Sequence, residues 1–509
     1  TKIDKGGKKM KRVVIIVVLL VAAILAGYTE EVSGKQSPEE LKYDLDFLIQ
    51  TLEDVHPDLY RYTPQEEIYK MKQDIEEDLS EPLTRLEFYR KVAPLVTRIG
   101  DGHTYITYPV EELNEYINGG GRLFPLDVRI IGERLFVVVD YTGEIPPGAE
   151  ILKINGFSIS QLIEELTKYV SGEKLSYRIE SVNTNFRALL WFAYSWEEFN
   201  ITYLSPSGKA LQKPIKGMTW NELTRQAQEL QKEFAKEEKE EDSKKIQYPY
   251  YSYASMPELK TGVIDFRAFQ DPEKFNLFLE ETFRKIKEEE IEHLIIDIRN
   301  NSGGNSTLGD ALLDYLTDKP WRQFSKIELK VSKQIKEYYK DPLPALKKIY
   351  PESYESMYQA SREWYQSVYQ EISSLPEGEV FSSSPELIEP SENPLRFHGK
   401  LYVLIGSHTF SSAVNFAATV KDYGIGTLIG EETGGLPTHF GDIYPFWLPN
   451  TDLPAGVSHK KFHRPSGIDD GRGVLPDIEV TTTLEDVLEG KDPVMEHILE
   501  VIKTIELVP

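Results

Sequence analysis

Apolar positions recur at helical spacing near the start of the chain. From Ser37 onward, apolar residues at positions 41, 45, 48, 49 and 52 follow a period of about 3.6 residues. The preceding Ser-Pro-Glu-Glu provides a cap, a proline tolerated in the first turn and early acidic residues. A second helical pattern, TRLEFYRKVAPLVTRI, continues to about Ile99. We therefore predict an N-terminal helical domain over residues 37–110.

Short apolar runs of strand character replace the helical pattern after Phe124. LDVRIIGERLFVVVDY is typical of two strands joined at Gly132-Glu133, and GAEILKINGFSISQLIEELTKYV is typical of a strand, an Asn155-Gly156 turn and a helix. These runs predict a compact β-rich module over residues 119–216. The charge-rich sequence that follows predicts a solvated linker or helix over residues 217–246.

Strands and helices alternate from Gly262 onward. TGVIDF, HLIIDIR and LYVLI are runs typical of buried strands, with amphipathic helical patterns between them. This alternation predicts an α/β domain with parallel strands over residues 247–509. A tyrosine-rich helical insertion interrupts it at about 337–375; its aromatic stripe favours packing, and a lid is the alternative.

Composition narrows the possible function classes. The 509 residues carry a net charge of −25, and 40% are hydrophobic. At roughly 150 residues per domain this length suggests about three domains in a multidomain α/β protein. The acidic balance argues against a nucleic-acid partner, because phosphate binding requires a basic face. The absence of cysteine excludes thiol catalysis, disulfides and cysteine-ligated zinc.

The sequence gives no indication of a cofactor or a metal ion. It contains neither HExxH nor another compact set of histidines and carboxylates, and no phosphate-binding glycine loop. Three histidines lie in a Gly/Pro-rich stretch near the C-terminus, where we expect loop or substrate-groove positions: His439, His459 and His463. We therefore predict no metal site and no cofactor.

Residues 1–36 have the layout of an export signal. Basic residues at positions 5–12 precede an uninterrupted apolar or small-residue stretch at 13–27, and a polar sequence follows. The stretch is short for a bilayer span, which needs about 20 residues, but an uncleaved anchor is an alternative, as is a buried core helix. We expect an exported protein, extracellular or in the cell envelope, with a membrane tether through this segment as an option.

The segment GSHTFSSAVNFAA carries the strongest chemical signal. It follows the strand-like LYVLI and runs into a helical pattern, so Ser411 and Ser412 lie at a strand-to-helix turn. Such a turn exposes a hydroxyl beside free backbone N–H groups at a helix N-terminus. Serine is also a preferred helix cap, so the position alone leaves nucleophile and cap as alternatives.

Two other polar segments strengthen the nucleophile interpretation. DIRNNSGGNS follows a buried strand and places Gly303 and Gly304 at its carboxyl end, where unhindered N–H groups can form an oxyanion hole. DGHT places His103 in a polar break after a helix. Histidine has an ordinary pKa near 6.5, which suits a general base.

Together these segments resemble the C-terminal (tail-specific) processing peptidase family, which includes the tricorn core protease. LIIDIRNNSGGN is similar to its Asp-x-Arg-x-Asn-x-Gly-Gly motif, TFSSAVNFAATVKDYGIGTLIGEETGG to its nucleophile segment, and GVLPDIEV to its closing Gly-Val-x-Pro-Asp motif. The resemblance implies a catalytic domain of the tail-specific protease/ClpP-crotonase-like type, a PDZ-like module and a polypeptide substrate.

The resemblance also implies roles for individual residues. The nucleophile falls on Ser411, and the oxyanion is held by Ser412 with Gly303 or Gly304. Leu436 occupies the position of the catalytic lysine in the bacterial subgroup, so the base falls on His103, as in the tricorn-like subgroup. The supporting acid falls on Asp470 or Asp469, where the family tends to have glutamate, and Asp101 is a further candidate. A carboxylate-binding loop is implied at Gly120, Gly121 and Arg122, with a plain flexible loop as the alternative.

The sequence thus predicts an exported serine peptidase that acts through a Ser–His acyl-enzyme. One alternative is a peptide- or ligand-binding protein without catalysis on the same fold. Another is an esterase acting on a small substrate.

Overall fold

The computed structural model describes residues 34–235 and 246–506. The predicted export segment, apart from residues 34–36, and residues 236–245 of the predicted linker lie outside the described residues. Among the helices that are described, none combines the length and the apolar character needed to cross a bilayer.

The N-terminal part is built from three helices with buried apolar faces. Capping boxes start two of them: Ser37 and Thr84 each accept a hydrogen bond from the N3 backbone, while the N3 glutamate reaches back to the cap. A polar loop, a two-residue strand and a fourth helix follow. The elements are α1 Pro38–Val55, α2 Gln65–Asp78, α3 Arg85–Arg98, β1 Tyr105–Ile106 and α4 Val110–Asn118.

A six-stranded antiparallel sheet with two long helical segments forms the next part. Its strand order is β3-β4-β5-β7-β8, with β6 paired to β5, so β3 is an edge strand. The elements are β2 Arg122–Leu123, β3 Leu126–Ile131, β4 Arg134–Asp140, β5 Glu150–Ile154, β6 Phe157–Ser158, α5 Ile159–Thr167, α6 Leu175–Tyr194, β7 Glu198–Leu204, β8 Ala210–Lys216, β9 Met218–Thr219 and α7 Trp220–Ala235. Strands β2 and β9 form a separate two-stranded sheet.

A seven-stranded sheet forms the α/β layer. Its order is β10-β11-β12-β13-β16-β17-β20, and the five strands from β12 to β20 are parallel. The elements are β10 Ile246–Gln247, β11 Tyr251–Met256, β12 Thr261–Phe266, α8 Pro272–Glu288, β13 His293–Asp297, α9 Thr307–Leu313, β16 Lys400–Ile405, α13 Ser412–Asp422, β17 Thr427–Gly430, β20 Ile478–Glu479, α14 Leu484–Glu489 and α15 Pro493–Glu506. Because β13 and β16 are neighbouring parallel strands, the loops after them meet at one edge of the sheet.

A second sheet of this part joins it to the N-terminal helices. Strand β19 pairs with β18, β14 and β1, so residues 105–106 form an edge of a sheet otherwise built from residues after 326. The elements are β14 Lys326–Lys330, β15 Val380–Ser383, β18 His439–Trp447 and β19 Pro454–His463. The prediction of loop positions for His439, His459 and His463 is therefore wrong, because all three residues lie on the strands of the β18–β19 hairpin.

The tyrosine-rich insertion is helical and packed. It comprises α10 Lys333–Lys340, α11 Leu343–Ile349 and α12 Tyr354–Ile372. Tyr339 and Tyr365 are buried against each other, and the Tyr339 hydroxyl lies 2.8 Å from His459 Nε2 on β19. These contacts fit the packing interpretation of the aromatic stripe.

Candidate active site

Ser411 lies at a strained turn between β16 and α13. Its backbone has φ +52° and ψ −126°, a conformation that costs a non-glycine residue free energy and that recurs at functional turns. Its side chain makes no capping hydrogen bond to α13. Thr409 fixes the turn: its hydroxyl accepts from the Gly406 N–H at 3.0 Å and donates to the Ile298 carbonyl at 2.9 Å. The strain therefore directs the Ser411 hydroxyl away from the helix.

His103 is the residue that this hydroxyl meets. The His103 Nε2 atom lies 2.9 Å from Ser411 Oγ, across 308 positions of sequence. The imidazole is 8% exposed and lies between the rings of Phe410, at 4.8 Å, and His439, at 5.5 Å between centroids. The pairing of β1 with β19 brings the 101–104 loop to this place.

The electrostatics keep this imidazole neutral. Burial lowers the pKa of His103 below its ordinary value, and the charge of Asp101 opposes that effect only in part. Burial likewise lowers the pKa of the stacked His439 to about 3, so that ring adds no positive charge near neutral pH. His103 is therefore available to accept a proton.

Asp101 is the carboxylate beside His103. It is 1% exposed, and its Oδ1 lies 4.0 Å from His103 Nδ1 and accepts the His103 backbone N–H at 3.0 Å. Its Oδ2 accepts from the hydroxyls of Thr104 and Ser458, each at 2.6 Å, and contacts His56 Nε2 at 3.2 Å. Burial alone raises the pKa of the Asp101 carboxyl, but the hydrogen bonds and electrostatic attraction of the neighbouring His56, His103 and Ser458 outweigh it, so the pKa lies below its usual range.

His56 contributes to this network with a defined proton. Its Nδ1 accepts the Asp58 backbone N–H at 3.0 Å, so the Nε2 carries the hydrogen that points at Asp101. Neither His56 nor Ser458 stands out in the sequence, because a histidine at a helix end and a serine in a strand carry no chemical pattern by themselves.

Neither acid expected near the C-terminal motif reaches the imidazole. Asp470 is exposed and accepts the Arg472 backbone N–H at 3.1 Å, and Asp469 lies 3.6 Å from the Arg61 guanidinium. The loop that carries them turns outward, since Glu432 binds both Arg472 and the Gly473 N–H. The structure thus brings Asp101, and not Asp470 or Asp469, to His103.

The glycine pair lies against the serine turn. A Cβ on Gly303 would approach Ser411 Cβ to 2.6 Å and the Ser412 nitrogen to 2.9 Å. The Gly303 N–H donates to Asn301 Oδ1 at 2.8 Å, and the Ser412 hydroxyl donates to the Gly304 carbonyl at 2.6 Å. Within the described residues, the N–H groups of Gly304 and Ser412 have no hydrogen-bond acceptor. These two groups are open to a ligand.

The expected carboxylate loop has internal partners. The Arg122 guanidinium donates to the Gly217 carbonyl at 2.7 Å and lies 3.2 Å from Glu222. The backbone of Arg122 is held by the Tyr116 hydroxyl at 2.9 Å, while Gly120 is exposed and Gly121 packs against the Tyr116 ring. The structure therefore shows Arg122 in a structural role, and Gly120 and Gly121 as the turn before it.

Glu173 is a site residue that the sequence did not indicate. It lies between α5 and α6, and its carboxylate belongs to a cluster with Asp101 and His103 in which one ligand atom of each lies within 4.8 Å of the others. Both of its oxygens are buried without a hydrogen-bond partner. Burial and the charge of Asp101 raise the pKa of Glu173 to about 8. In the sequence, Gly172-Glu173-Lys174 is typical of an exposed loop, so no signal was available.

The α5–α6 segment also contacts the serine turn directly. Lys174 Nζ donates to the Thr433 carbonyl at 2.9 Å and lies 2.6 Å from Glu432. The Tyr177 ring stacks on Phe410 with 4.2 Å between centroids. Three parts of the chain therefore build the site: the 101–104 loop, the start of α6 and the loops after β13 and β16.

Comparisons with known proteins agree with this architecture. Residues 260–480 match the model of peptidase family S41. The structure of mature CPAF is 17% identical, with a TM-score of 0.64 over 92% of this chain and 97% of that one. Mature CPAF complexed with lactacystin is 16% identical, with a TM-score of 0.65 over 92% and 98% of the two chains. No curated protein matches the chain significantly. The likeness to CPAF is one of fold, and His103 lies outside the matched family segment.

Proposed function

We propose that this protein cleaves polypeptides through an acyl-enzyme on Ser411, with His103 as the base. The premise is that the chain carries a peptidase family S41 domain and is a serine-type peptidase. One observation carries the proposal: a strained serine that caps no helix lies 2.9 Å from the Nε2 of a buried histidine. A nucleophile and a base within hydrogen-bond reach are the first requirement for this chemistry.

The reaction follows from this geometry. Ser411 Oγ attacks the carbonyl carbon of the scissile bond as its proton passes to His103 Nε2. The imidazolium then donates that proton to the leaving amine, and the acyl-enzyme forms. Water, activated by the same Nε2, hydrolyses the ester and releases the new carboxyl terminus. The lowered pKa of His103 keeps it in the accepting form when the cycle begins.

Asp101 is the acid that we assign to the imidazolium. It is ionised, and it fixes the loop through the His103 backbone N–H. The separation of 4.0 Å between Oδ1 and Nδ1 is longer than a hydrogen bond and closes with a small ring shift once Nδ1–H carries charge.

Two N–H groups are suited to hold the oxyanion. Those of Gly304 and Ser412 lack acceptors among the described residues and flank the nucleophile. Such a pair stabilises the negative charge of the tetrahedral intermediate. Gly303 instead shapes the approach, since its N–H is engaged by Asn301.

The antiparallel sheet supports a substrate of extended polypeptide. Its edge strand β3 runs beside α6, and a cavity of about 280 Å³ lies between them. In PDZ-like modules an extended peptide adds to such an edge, so we assign this role to residues 119–216 and expect unstructured or C-terminal segments as substrates. Asn183 on α6 already pairs with the backbone of Ile130, which confines added peptide to the rest of the strand.

Export is part of the proposal and rests on the sequence. Basic residues at positions 5–12 followed by the apolar stretch 13–27 support targeting to the outside of the cytoplasmic membrane.

The test is active-site labelling together with turnover. Wild type, Ser411→Ala, His103→Ala and the control Ser407→Ala, from the same turn, are treated with a fluorophosphonate and assayed on an unstructured polypeptide. We expect labelling at Ser411 alone, and a loss of kcat/KM of roughly 10³-fold or more in the first two variants but not in the control.

Each other outcome assigns the site differently. No labelling and no cleavage by wild type would favour a binding protein on this fold. Turnover of small esters without turnover of peptides would favour an esterase. Activity that survives His103→Ala but not Ser411→Ala would support Ser411 as the nucleophile and exclude His103 as the base.

A further inference from the structure

The Nδ1 side of the His103 imidazole faces a set of metal-ligand atoms. A ring nitrogen of His103, a carboxylate oxygen of Asp101 and a carboxylate oxygen of Glu173 lie within 4.8 Å of one another, and the Nδ1 atom lies 4.0 Å from Asp101 Oδ1. We propose that these three side chains bind a divalent cation of the zinc class, and that the bound ion switches the peptidase off. The proposed inhibition depends on the proposed function, in which His103 is the base. The proposed binding of the ion does not depend on it.

Unpartnered buried atoms support a ligand at this place. His103 is only 8% exposed, and its Nδ1 atom has no hydrogen-bond partner among the described residues. Both carboxylate oxygens of Glu173 are also buried without a side-chain partner there. Buried polar atoms are otherwise almost always satisfied, so three orphans that face one another require an explanation. A cation with empty coordination positions satisfies all of them at once.

The donor types fit zinc. One imidazole nitrogen and two carboxylate oxygens are ligands that zinc accepts, and three protein ligands leave a fourth position for water. Bonds of about 2.0–2.2 Å place tetrahedral ligand atoms about 3.4 Å apart. The Nδ1–Oδ1 separation is 4.0 Å, so the cluster must contract by less than about 1.5 Å. Glu173 can supply most of this movement, since among the described residues no side chain donates a hydrogen bond to its carboxylate.

A cavity provides an entry path. It has a volume of about 730 Å³ and lies between the N-terminal helices and the antiparallel sheet, with Glu173 in its wall. Three acidic and three basic residues line it: Glu133, Glu164, Glu173, Arg98, Lys168 and Arg178. The wall of the cavity therefore carries side chains of both types on the path to Glu173.

Occupancy has a direct consequence for the base. Coordination uses the Nδ1 lone pair, so the imidazole proton resides on Nε2, the nitrogen that faces Ser411 at 2.9 Å. That nitrogen then donates rather than accepts. The ion thus stops proton transfer from Ser411 without covering the substrate groove.

The test measures zinc binding and inhibition separately. Chelator-stripped wild type, Glu173→Gln and Glu164→Gln are dialysed against micromolar Zn²⁺ for stoichiometry, and the zinc inhibition constant of each is expressed relative to its own zinc-free rate. Glu164 is the matched control because it lines the same cavity but lies outside the cluster. Visible spectra of Co²⁺-loaded protein report the coordination geometry.

The expected result is one tightly bound ion in wild type and Glu164→Gln, a tetrahedral Co²⁺ spectrum, and affinity and inhibition weakened by about 10-fold or more in Glu173→Gln. Equal zinc affinity in all three proteins, or no stoichiometric binding, overturns the site. Binding that depends on Glu173 but leaves labelling of Ser411 unchanged overturns the inhibitory role. The dialysis result stands even if the peptidase assignment fails.

Discussion

His103 is positioned by a column of rings as much as by its acid. Tyr177, Phe410, His103, His439 and Phe462 stack in sequence, with centroid separations between 4.2 and 5.5 Å. Packing on both faces fixes the ring plane, which otherwise is set by a hydrogen bond at Nδ1. A column of apolar and neutral rings also explains why burial dominates the pKa of this histidine.

The first prediction concerns pH dependence. Because burial lowers the pKa of His103, we expect the acid limb of kcat/KM to have its midpoint below about 6.5, the ordinary histidine value. Asp101→Asn removes the charge that opposes this effect, so the midpoint moves to still lower pH while the plateau falls. Rates of fluorophosphonate labelling from pH 4 to 9 measure both, and a midpoint above 7 would contradict the assignment.

The second prediction concerns the stability of the zinc-free protein. Glu173 has a pKa of about 8 when folded against an ordinary 4.5, so the unfolded chain holds fewer protons between these values. The stability that this group contributes is present below pH 4.5 and is lost as pH rises toward 8. Glu173→Gln should therefore stabilise the protein by on the order of 2 kcal/mol at pH 8 and far less at pH 4.5.

Urea unfolding with chelator present, at both pH values, checks this difference. Glu164→Gln serves as the control, and a stabilisation of Glu173→Gln that is equal at the two pH values would show that the Glu173 carboxyl does not titrate as described.

At the level of single residues, the sequence predicted those site residues that belong to recognisable motifs. Ser411, Gly304 and His103 stood out in the sequence because strand ends and polar breaks are visible as patterns. Glu173, His56 and Ser458 did not stand out, because each gains its place in the site through a tertiary contact with the 101–103 loop that no local pattern reveals. Asp470 was placed by resemblance, and the outward turn of its loop depends on Glu432, which no local pattern reveals.

Among the structural elements, the serine turn and the glycine loop form one unit. The hydrogen bonds of Thr409 and the bond from the Phe410 N–H to the Asn301 carbonyl, at 3.0 Å, tie the end of β16 to the end of β13. The strain at Ser411 persists because the neighbouring loop holds both sides of the turn.

The third prediction tests this coupling with Gly303→Ala. The new methyl group would meet Ser411 Cβ at 2.6 Å, and φ of +99° disfavours any side chain, so the turn must shift. We expect kcat/KM to fall by about 100-fold or more, the cost of a disturbed oxyanion site. Gly132→Ala is the control: φ is also positive, at +64°, but nothing lies within 4 Å, so it should cost roughly 1–2 kcal/mol of stability and no activity.

Equal loss of activity in both glycine variants would contradict this prediction, because it would trace the effect to general destabilisation. Circular dichroism melting curves accompany the kinetics for that reason.

The α/β alternation was predictable, whereas the β18–β19 hairpin was not. Buried parallel strands are continuous apolar runs, and TGVIDF, HLIIDIR and LYVLI stood out. The hairpin instead carries glycine, proline, lysine and histidine, including the buried His459 and Lys460. The pairing of β19 with β18, β1 and β14 outweighs that composition.

At the scale of the whole molecule, the buried Asp44 links helix α1 to the β18–β19 hairpin through hydrogen bonds. Asp44 on α1 accepts four hydrogen bonds from the turn of the β18–β19 hairpin, from the backbone and side chains of Asn450 and Thr451, at 2.7–2.9 Å. The residue has no exposed surface. This junction and the β1–β19 pairing hold the part that carries His103 against the part that carries Ser411.

The fourth prediction is that Asp44→Ala destabilises the protein strongly. Four donors would lose their acceptor, at about 1–3 kcal/mol for each that stays buried and unsatisfied, so we expect a loss of about 3–5 kcal/mol in unfolding free energy. Asp46→Ala is the control on the same helix. Within residues 34–235 and 246–506 its 64% exposed carboxylate pairs with Lys72 alone, so the substitution should cost less than about 1 kcal/mol. Urea titrations compare the two, and similar losses would contradict the role of the junction.

The pairing of β1 with β19 also sets an order of events during synthesis. The proposed nucleophile is translated at position 411, but the strand that receives residues 105–106 is completed only at 455–456, and the hydroxyl that binds Asp101 only at Ser458. A ribosome-bound chain that has just produced its serine therefore lacks an assembled charge network. We therefore expect the proposed active site to stay incomplete until the growing chain has been extended past residue 458.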